Sequence, residues 1–333
     1  MYRIVIDAMG GDHAPQAVIE GALAAVAEAK DIEITLVGKE DEIRKYLPQN
    51  AERFHIVHAE EMISMDEAPV AAIRKKKNSS IVVGMNLVKD GEADVFLSAG
   101  SSGAIIAGAT LIIRRARNVE RAALAPLFPT IGGKWVMLLD AGANVDCKPA
   151  HLLQFARMGS IYMETILGIG NPRIGLLNNG AEAEKGCALT KEVYGMLQES
   201  ELNFVGNIEP RDALADDCDV LVADGFAGNV LMKSIEGTVK MLLSLMKQSL
   251  YSSLKSKIGA LLCKDAFGTM KKRLDYKEYG GALLLGVNGG IVKAHGSSDA
   301  RAIKNAVLQA RKIAESKVVA RIAEKLEAQR ATE

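Results

Sequence analysis

The sequence predicts an α/β protein whose mixed, mostly parallel sheet is covered by helices on both faces, in three layers. Short runs that are apolar throughout, such as 4–7 and 136–140, end in Gly, Asn or Asp, which is typical of strands buried on both faces. Helical patterns, such as 15–29 and 149–166, lie between these runs. Strands and helices that alternate in this way form a sheet between two helical layers.

The remaining elements follow from the same two patterns, taken in chain order. Further buried strands are predicted at 34–38, 95–98, 174–178, 220–224, 283–286 and 291–293. Further helices are predicted at 78–90, 103–116 and 182–198.

Two long helical patterns depart from this alternation. Residues 230–263 carry one apolar stripe, and a shorter amphipathic piece around Phe267 follows a break near Lys264 and Gly268, so 230–279 is predicted to form a protruding amphipathic helical hairpin. Another helix is expected over 298–330, after a Ser-Ser-Asp capping signal. Because the chain has no Pro/Ser/Gly linker and no repeat, we expect residues 1–333 to form one α/β unit of two intertwined subdomains.

The composition excludes several classes of protein. With 333 residues and 41 Lys and Arg against 41 Asp and Glu, the chain lacks the basic excess of a nucleic-acid-binding protein. No apolar run approaches the ~20 residues of a membrane-spanning helix. Residues 1–7 are typical of a strand and not of a signal peptide, so we expect a cytoplasmic protein. The four cysteines and five histidines lack the spacing of metal ligands, and we expect neither a metal nor a disulfide.

Polar and glycine-rich segments follow the predicted strands, where ligands bind in open α/β sheets. The first is Asp-Ala-Met-Gly-Gly-Asp-His-Ala-Pro at 7–15. Gly10 and Gly11 allow close approach of a ligand and Asp12 can cap a helix, although a tight turn with a cap has the same pattern. The segment lacks the Gly-x-Gly-x-x-Gly of a dinucleotide site.

The segment Ser-Ala-Gly-Ser-Ser-Gly-Ala at 98–104 is predicted to open a helix. Its hydroxyls and backbone N–H groups favour a phosphate cradle at the helix N-terminus. An activated serine nucleophile is the alternative, although the segment does not match Gly-x-Ser-x-Gly.

Further polar loops follow the later strands. Lys185 is expected in the first turns of the helix after Asn178 and Asn179. A lysine there opposes the helix dipole, which favours an anion site. A solvated surface lysine is the alternative. Similar loops contain Asn144, Asp224 to Asn229, Asn288 and His295. We expect all of these loops to form one polar surface at one edge of the sheet.

Taken together, these segments resemble the PlsX family of phosphate acyltransferases. The resemblance covers about residues 2–305. It is carried by 7–15, 98–104, Leu-Leu-Asn-Asn-Gly at 176–180, Glu-Lys-Gly at 184–186, Asp-Gly-Phe-Ala-Gly-Asn-Val at 224–230, Gly-Val-Asn-Gly-Gly at 286–290 and His-Gly-Ser-Ser at 295–298.

The resemblance implies an activity, a fold and partners. Members of the family make acyl-phosphate from acyl-acyl carrier protein and inorganic phosphate, without a cofactor, and the product passes to the membrane acyltransferase PlsY for phospholipid (phosphatidic acid) synthesis. Their fold is similar to isocitrate/isopropylmalate dehydrogenases and phosphotransacetylases, and they assemble as homodimers. Lys185 and Asn229 occupy positions that the family links to catalysis.

Phosphate is itself the nucleophile in this chemistry, so the enzyme needs an anion cradle and donors for the oxyanion. Lys185 is expected to neutralise phosphate, and Asn229 to hydrogen-bond phosphate or the thioester oxygen. Phosphate or substrate binding is expected from the polar residues of all the loops, which are Asp7, Gly10, Gly11, Asp12, His13, Ser98, Gly100, Ser101, Asn144, Asn178, Asn179, Asp224, Gly228, Asn288 and His295.

The segment 247–277 combines eight Lys and Arg, two Asp and several large apolar residues. This composition is typical of an interfacial helix on an anionic membrane, and we expect peripheral association with the inner face of the plasma membrane. Docking of the acidic acyl carrier protein and packing at a dimer interface are the alternatives. The expected contact residues are Lys257, Ile258, Leu261, Leu262, Phe267 and Lys271.

Three other functions remain open on the residues alone. A dehydrogenase of the same fold would need a nucleotide fingerprint and a carboxylate-rich metal site, and neither is apparent. A phosphotransacetylase that uses coenzyme A is chemically closer, since fold does not fix function. A membrane scaffold without activity would have no use for the polar loops.

Overall fold

The computed structural model describes residues 1–274 and 280–330, over which strands form two sheets. The first sheet has the order β3-β2-β1-β4-β12-β11-β5, and the second has the order β6-β7-β10-β8-β9. The strands are β1 (Tyr2–Asp7), β2 (Ile32–Gly38), β3 (Phe54–His58), β4 (Val95–Ser98), β5 (Ala123–Ala125), β6 (Leu127–Pro129), β7 (Trp135–Leu139), β8 (Arg173–Leu177), β9 (Asn203–Ile208), β10 (Val220–Val222), β11 (Ala282–Leu285) and β12 (Gly290–Lys293).

Helices cover both faces of the sheets, which confirms the predicted three-layer α/β class. Successive residues of β1 show this, because Ile4 and Ile6 pack in one core with α1 and α11 while Val5 packs in another with α4 and α5. The helices are α1 (Gln16–Glu28), α2 (Glu40–Arg44), α3 (Pro69–Lys75), α4 (Ser80–Lys89), α5 (Ser102–Gly108), α6 (Pro149–Leu167), α7 (Ala188–Glu199), α8 (Gly225–Leu250), α9 (Leu254–Leu262), α10 (Lys264–Leu274), α11 (Ala300–Ser316) and α12 (Val318–Arg330). A π-helical turn, Ala109–Ile113, extends α5.

The single sheet expected from the sequence is present as two sheets, which residues 123–129 join side by side. β5 pairs with β11, and β6 pairs with β7. Between them lies Pro126, whose ring nitrogen has no hydrogen to donate to a ladder. Across the junction the N–H of Leu138 donates to the carbonyl of Pro126 at 3.1 Å, and the N–H of Ala141 donates to that of Leu124 at 2.9 Å.

The parallel strands of the two sheets run in opposite directions at this junction. β5 runs in the same direction as β12, because both are antiparallel to β11. β7 is antiparallel to β6, and β10, β8 and β9 run parallel to β7. The carboxyl edges of the two sets of strands therefore point in opposite directions. The loops that follow them form two clusters, and Gly142, Asn229 and His295 from these clusters line one cavity.

Helix α8 spans the distance between these two edges. It begins at the carboxyl end of β10, where the Asp224 carboxylate accepts hydrogen bonds from the N–H groups of Phe226 and Ala227 at 2.9 and 2.8 Å. Its middle approaches the carboxyl end of β12, where Glu236 lies 4.0 Å from His295. Gly228 allows α8 to pack directly on the backbone, since a Cβ there would lie 2.0 Å from the carbonyl oxygen of Asp140.

The two long helical predictions need correction. The 230–263 pattern is divided between α8 and α9, with the break at 251–253, and Gly268 lies inside α10 and not at a break. Residues 275–279 of the predicted hairpin, and the side chain of Lys271, lie outside the described residues. The predicted 298–330 helix is two helices, because Lys317 takes a left-handed conformation with φ 53°. The predicted cap is confirmed, as the Asp299 carboxylate accepts from the N–H of Ala302 at 3.0 Å.

The close contact of α8 with Asp140 predicts a large effect of one methyl group. We expect Gly228→Ala to lower the free energy of unfolding by about 3 kcal/mol, because the added Cβ meets backbone that cannot move aside. Urea unfolding monitored by circular dichroism measures this change.

Gly237 provides the matched control on the same helix. A Cβ there would meet nothing within 4 Å, so Gly237→Ala should stabilise the helix by up to about 1 kcal/mol. Equal effects of the two substitutions would contradict the packing described here.

Candidate active site

A cavity of ≈ 320 Å³ lies between α5 and α8, over the junction of the two sheets. One part of its wall is apolar and is formed by Ile106, Leu124, Leu127, Phe128 and Met232. Another part carries charged and polar side chains from α8, β12 and the loop that follows β12, which are Asn229, Lys233, Glu236, Lys293 and His295. Both sheets thus contribute to one site.

Lys293 is the cation at the carboxyl end of β12. Burial, together with the nearby positive charge of Lys233, lowers the pKa of its ammonium group from 10.5 to about 8, while Glu236 and Asp12 oppose the change. The ammonium group is therefore still charged at pH 7. A cation that is poorly hydrated in this way is suited to bind an anion that enters the cavity.

His295 lies two residues further along the chain and also lines the cavity. Its Nδ1 accepts a hydrogen bond from the N–H of Ser297 at 3.2 Å, which assigns the proton of the neutral ring to Nε2. Burial lowers the pKa of His295, and the charge of Lys293 adds to this effect. Its Nε2 lies 4.0 Å from Glu236, whose carboxylate also pairs with Lys233 at 3.0 Å.

Asp140 holds the second loop cluster together, at the carboxyl end of β7. Its buried carboxylate accepts hydrogen bonds from the N–H groups of Leu124, Gly142, Ala143 and Asn144 and from the Asn144 side-chain amide. Burial raises its pKa, and these hydrogen bonds oppose the change. Asn144, which was expected to bind phosphate, thus helps to position this loop. Gly142 of the same loop lines the cavity, and a Cβ there would lie 3.4 Å from Asn229.

The first loop cluster lies at the carboxyl ends of β1, β4 and β12 and is closely packed. The hydroxyl of Ser98 donates to the buried Asp7 carboxylate at 2.7 Å and accepts from the N–H of Gly100 at 2.9 Å. Burial raises the pKa of Asp7, opposed by hydrogen bonds from Ser80 and Ser98. A Cβ on Gly10 would lie 2.4 Å from the Asp7 carboxylate. These residues, expected to bind substrate, bind one another.

Other expected residues of this cluster lie at its margin. Gly11 has φ +102°, and a Cβ there would lie 3.0 Å from the carbonyl oxygen of Gly296. The N–H of Asp12 donates to the same oxygen at 2.8 Å, and His13 is exposed. Ser101 is buried and caps α5 by accepting from the N–H of Ala104 at 3.4 Å.

Lys185 lies in a loop and not in the first turns of a helix, because α7 begins only at Ala188. The buried amide of Asn178 fixes this loop by donating to the carbonyl of Lys185 at 3.2 Å and to Asn207 Oδ1 at 3.1 Å. Lys185 and Asn179 are exposed at the carboxyl end of β8 and do not line the cavity. The sequence-based argument that Lys185 opposes the dipole of the following helix is therefore wrong.

Asn288 does not lie at the carboxyl end of a parallel strand. It precedes β12 and is therefore at the amino end of that strand, opposite Ser98 and Lys293. Its amide donates to the carbonyl of Arg115 at 3.0 Å and closes a turn. This position could not be recognised from the sequence, because strand pairing and direction leave no local pattern.

Four polar residues of this site, Lys233, Glu236, Lys293 and Asp140, were not among those predicted from the sequence. Lys293 ends an apolar run, and a single lysine after Ile291 and Val292 was the available signal. Asp140 follows Leu139 directly and was recognised only as part of a loop. Over residues 1–274 and 280–330, no group of three or more His, Cys, Asp or Glu side chains is arranged to hold a metal ion.

Comparison with solved structures shows the class of fold that carries this site. A phosphotransacetylase from Streptococcus pyogenes superimposes with a TM-score of 0.59 at 18% identity, over 94% of each chain. A branched-chain phosphotransacylase from Enterococcus faecalis V583 also gives 0.59, at 15% identity, over 94% of this chain and 99% of the other. The fold is thus that of the phosphotransacylases.

Sequence comparison identifies the family within that class. The model of the family described as "Fatty acid synthesis protein" matches residues 2–321. Phosphate acyltransferases of Bacillus cereus (strain B4264) and Geobacillus thermodenitrificans (strain NG80-2) are 50% and 51% identical over 325 residues, 98% of this chain and 98% and 99% of theirs. The chain belongs to the phosphate acyltransferase family, which confirms the resemblance inferred from its motifs, and it is an acyltransferase of lipid biosynthesis.

The buried charge of Lys293 predicts a pH-dependent stability difference. Its pKa is lower in the folded than in the unfolded chain, so holding the proton costs stability below about pH 8, and this cost disappears between pH 8 and 10.5. We expect Lys293→Met to raise the free energy of unfolding at pH 7 by roughly 1–2 kcal/mol. Urea unfolding of both proteins across this pH range measures the difference.

The exposed Lys30 provides a control for the loss of one positive charge. Lys30→Met should shift stability by less than about 0.5 kcal/mol at every pH. A Lys293→Met protein that is less stable than the wild type at pH 7 would show that burial is not the dominant influence on this lysine.

Proposed function

We propose that the protein transfers the acyl group of an acyl-acyl carrier protein to inorganic phosphate, which yields acyl-phosphate for phospholipid (phosphatidic acid) synthesis. The observation that carries this proposal is the cavity with cations along one part of its wall and apolar side chains along the other. The cations are suited to phosphate, and the apolar side chains are suited to the acyl chain beside the thioester. The family assignment supports the same chemistry.

The reaction needs positioning and charge stabilisation more than a nucleophile from the protein. A phosphate oxygen attacks the thioester carbonyl carbon, a C–O bond forms, the C–S bond breaks, and the carrier thiolate leaves and takes a proton. Lys293 and Lys233 neutralise the phosphate, and the amide of Asn229 donates to the oxyanion as it develops. The Nε2–H of His295 is placed to donate to phosphate or to the departing sulfur.

Lys185 has a separate place in this proposal. It is exposed on the loop after β8, and we assign it to the capture of phosphate or substrate at the surface. Asn178, by fixing the carbonyl of Lys185, holds the loop in place.

Release of the carrier thiol from palmitoyl-acyl carrier protein, with and without phosphate, tests the reaction. We expect release that depends on phosphate and forms palmitoyl-phosphate in equal amount. Release without phosphate would mean a thioesterase, and a strong preference for palmitoyl-coenzyme A would mean a phosphotransacetylase.

The proposed role of Lys185 predicts a kinetic defect without loss of stability. Lys185→Ala should lower kcat/KM roughly 10- to 100-fold, since a hydrogen bond to a charged group is worth about 1.5–3 kcal/mol. The same assay and a urea unfolding curve measure the two effects. Lys191→Ala, an exposed lysine on α7, is the control and should keep normal kinetics; equal rates of the two variants would remove Lys185 from the mechanism.

We further propose that the hairpin of α9 and α10 binds the anionic inner face of the plasma membrane. Leu254, Ile258, Leu261 and Leu262 are 76%, 56%, 72% and 82% exposed, beside the exposed Lys257, while Phe267 is half-buried. Such a surface suits an interfacial helix and would bring the acyl-phosphate close to PlsY. Over the described residues no helix is long and apolar enough to span a bilayer.

Flotation with liposomes of phosphatidylglycerol tests this surface. The Leu261→Glu and Leu262→Glu double variant should lose most lipid binding, because each charge has to leave water to enter the interface. Val205→Glu, which changes an exposed valine of β9, should float as the wild type does. Undiminished flotation of the double variant would rule out the hairpin as the membrane contact.

The apolar part of α8 supports a homodimer. Met241, Leu242 and Leu245 are 58%, 47% and 51% exposed, and we propose that a second copy of the chain covers them. Sedimentation that gives a monomer at micromolar concentration would contradict this arrangement.

The acidic acyl carrier protein is proposed to dock on the basic hairpin of α9 and α10.

A further inference from the structure

We propose that a second cavity, next to the first, binds the phosphate diester of the phosphopantetheine arm that carries the acyl thioester. This inference rests on the proposed function and assigns a subsite for the donor. The cavity has a volume of ≈ 500 Å³ and lies between the end of α5, the loop before β5 and the start of α6. Its lining residues are Ile106, Thr110, Arg115, Glu120, Arg121, Ala122, Ala143, Asn144, Lys148 and His151.

The charge of this cavity is suited to an anion. Three cations line it, Arg115, Arg121 and Lys148, against the single carboxylate of Glu120. Arg115 is held by a hydrogen bond to the carbonyl of Glu120. No carboxylate in the described part of the chain pairs with Arg121 or Lys148, so both cations can turn to a ligand.

The buried His151 adds a neutral donor at the floor of the cavity. Its Nδ1 accepts from the N–H of Lys148 at 3.1 Å, and burial lowers its pKa, so the neutral ring carries its proton on Nε2. Nε2 lies 3.2 Å from Glu120, whose side chain is 63% exposed and can rotate into solvent. A phosphate diester can take its place as acceptor.

The two cavities adjoin each other. Ile106 lines both cavities, and each of three separate chain segments contributes one residue to the first cavity and another to the second. On α5 and its π-helical extension, Ser102 lines the first cavity and Thr110 the second. At the start of β5 the corresponding residues are Leu124 and Ala122, and after β7 they are Gly142 and Asn144. At 1.5 Å per residue, the step from Ser102 to Thr110 covers about 12 Å.

This separation identifies which phosphate the second cavity receives. Free phosphate has to contact the thioester carbon in order to attack it, so it belongs beside Lys293 in the first cavity. A phosphopantetheine arm carries its thioester at one end and its phosphate diester at the other. With the thioester in the first cavity, the arm passes Ile106, which both cavities share, and its phosphate reaches Arg121 and Lys148.

Calorimetric titration tests the subsite without reference to activity. We expect 4′-phosphopantetheine to bind the wild-type protein at least tenfold more tightly than pantetheine, which lacks the phosphate. The Arg121→Ala and Lys148→Ala double variant should lose this preference, because both substituted side chains are exposed and the fold does not depend on them. Binding of inorganic phosphate alone should stay within twofold.

Arg117→Ala is the matched control from the same loop. Arg117 is 78% exposed and pairs with Glu327 at 3.0 Å, outside the cavity, so its loss should leave the preference for 4′-phosphopantetheine intact. A preference that survives in the double variant overturns the proposal, as does equal binding of 4′-phosphopantetheine and pantetheine to the wild type. Weaker binding of inorganic phosphate to the double variant overturns it in favour of a site for the free anion.

The kinetic counterpart separates failure of the subsite from failure of the proposed function. In the double variant the KM for palmitoyl-acyl carrier protein should rise at least tenfold, while the KM for phosphate stays within twofold. A wild type that releases no thiol with phosphate contradicts the proposed reaction, and the titration still decides the subsite. An unchanged donor KM in an active double variant contradicts the subsite alone.

Discussion

The site depends on one buried carboxylate, that of Asp140. Burial of a charge is costly unless hydrogen bonds compensate it, and here every partner of the carboxylate is an N–H group. The donors come from the start of β5 and from the loop after β7, so one side chain ties the junction between the sheets to the loop that lines both cavities. Gly228 brings α8 onto the backbone of the same residue. Asp140 thus holds in place the loop and the helix that position Asn229 at the cavity.

The opposed strand directions explain why a helix is needed to complete the site. The carboxyl ends of the first sheet supply Lys293 and His295, whereas those of the second supply Asp140 and Asp224. α8 starts at the second edge and brings Asn229, Lys233 and Glu236 to the first. Lys293 and Asn229, the proposed phosphate ligand and the proposed oxyanion donor, therefore reach the cavity from different sheets. Any relative movement of the sheets would change the distance between them.

The sequence was sufficient for the fold class and most elements, because burial of strands on both faces leaves a local pattern. The apolar run that ends in Asp7 and the cap at Asp299 are examples, and both are present. Strand pairing between distant segments leaves no such pattern. For this reason the division at Pro126, the opposite directions of β5 and β7 and the place of Asn288 could not be predicted.

The same limit applies to the candidate site. Glycine and polar loops marked the right segments, but within them the sequence could not separate residues that position a loop from those that face the cavity. Asp7, Ser98 and Asn178 are polar residues whose hydrogen bonds are used within the protein. Lys293 faces the cavity, yet it is the last residue of a strand that is otherwise apolar. Burial, which distinguishes these cases, is a property of the tertiary structure.

The distribution of charge connects the two proposed contacts of this chain with anions. The net charge is zero, so long-range attraction to nucleic acid or membranes is not expected from the chain as a whole. Local cations serve instead: the partly desolvated Lys293 in the first cavity and exposed ones on the hairpin. Salt screens exposed charges over about 8 Å at physiological strength but screens buried charges much less. Binding of an anion at Lys293 can therefore remain strong at salt concentrations that weaken the proposed contact of the hairpin with a membrane.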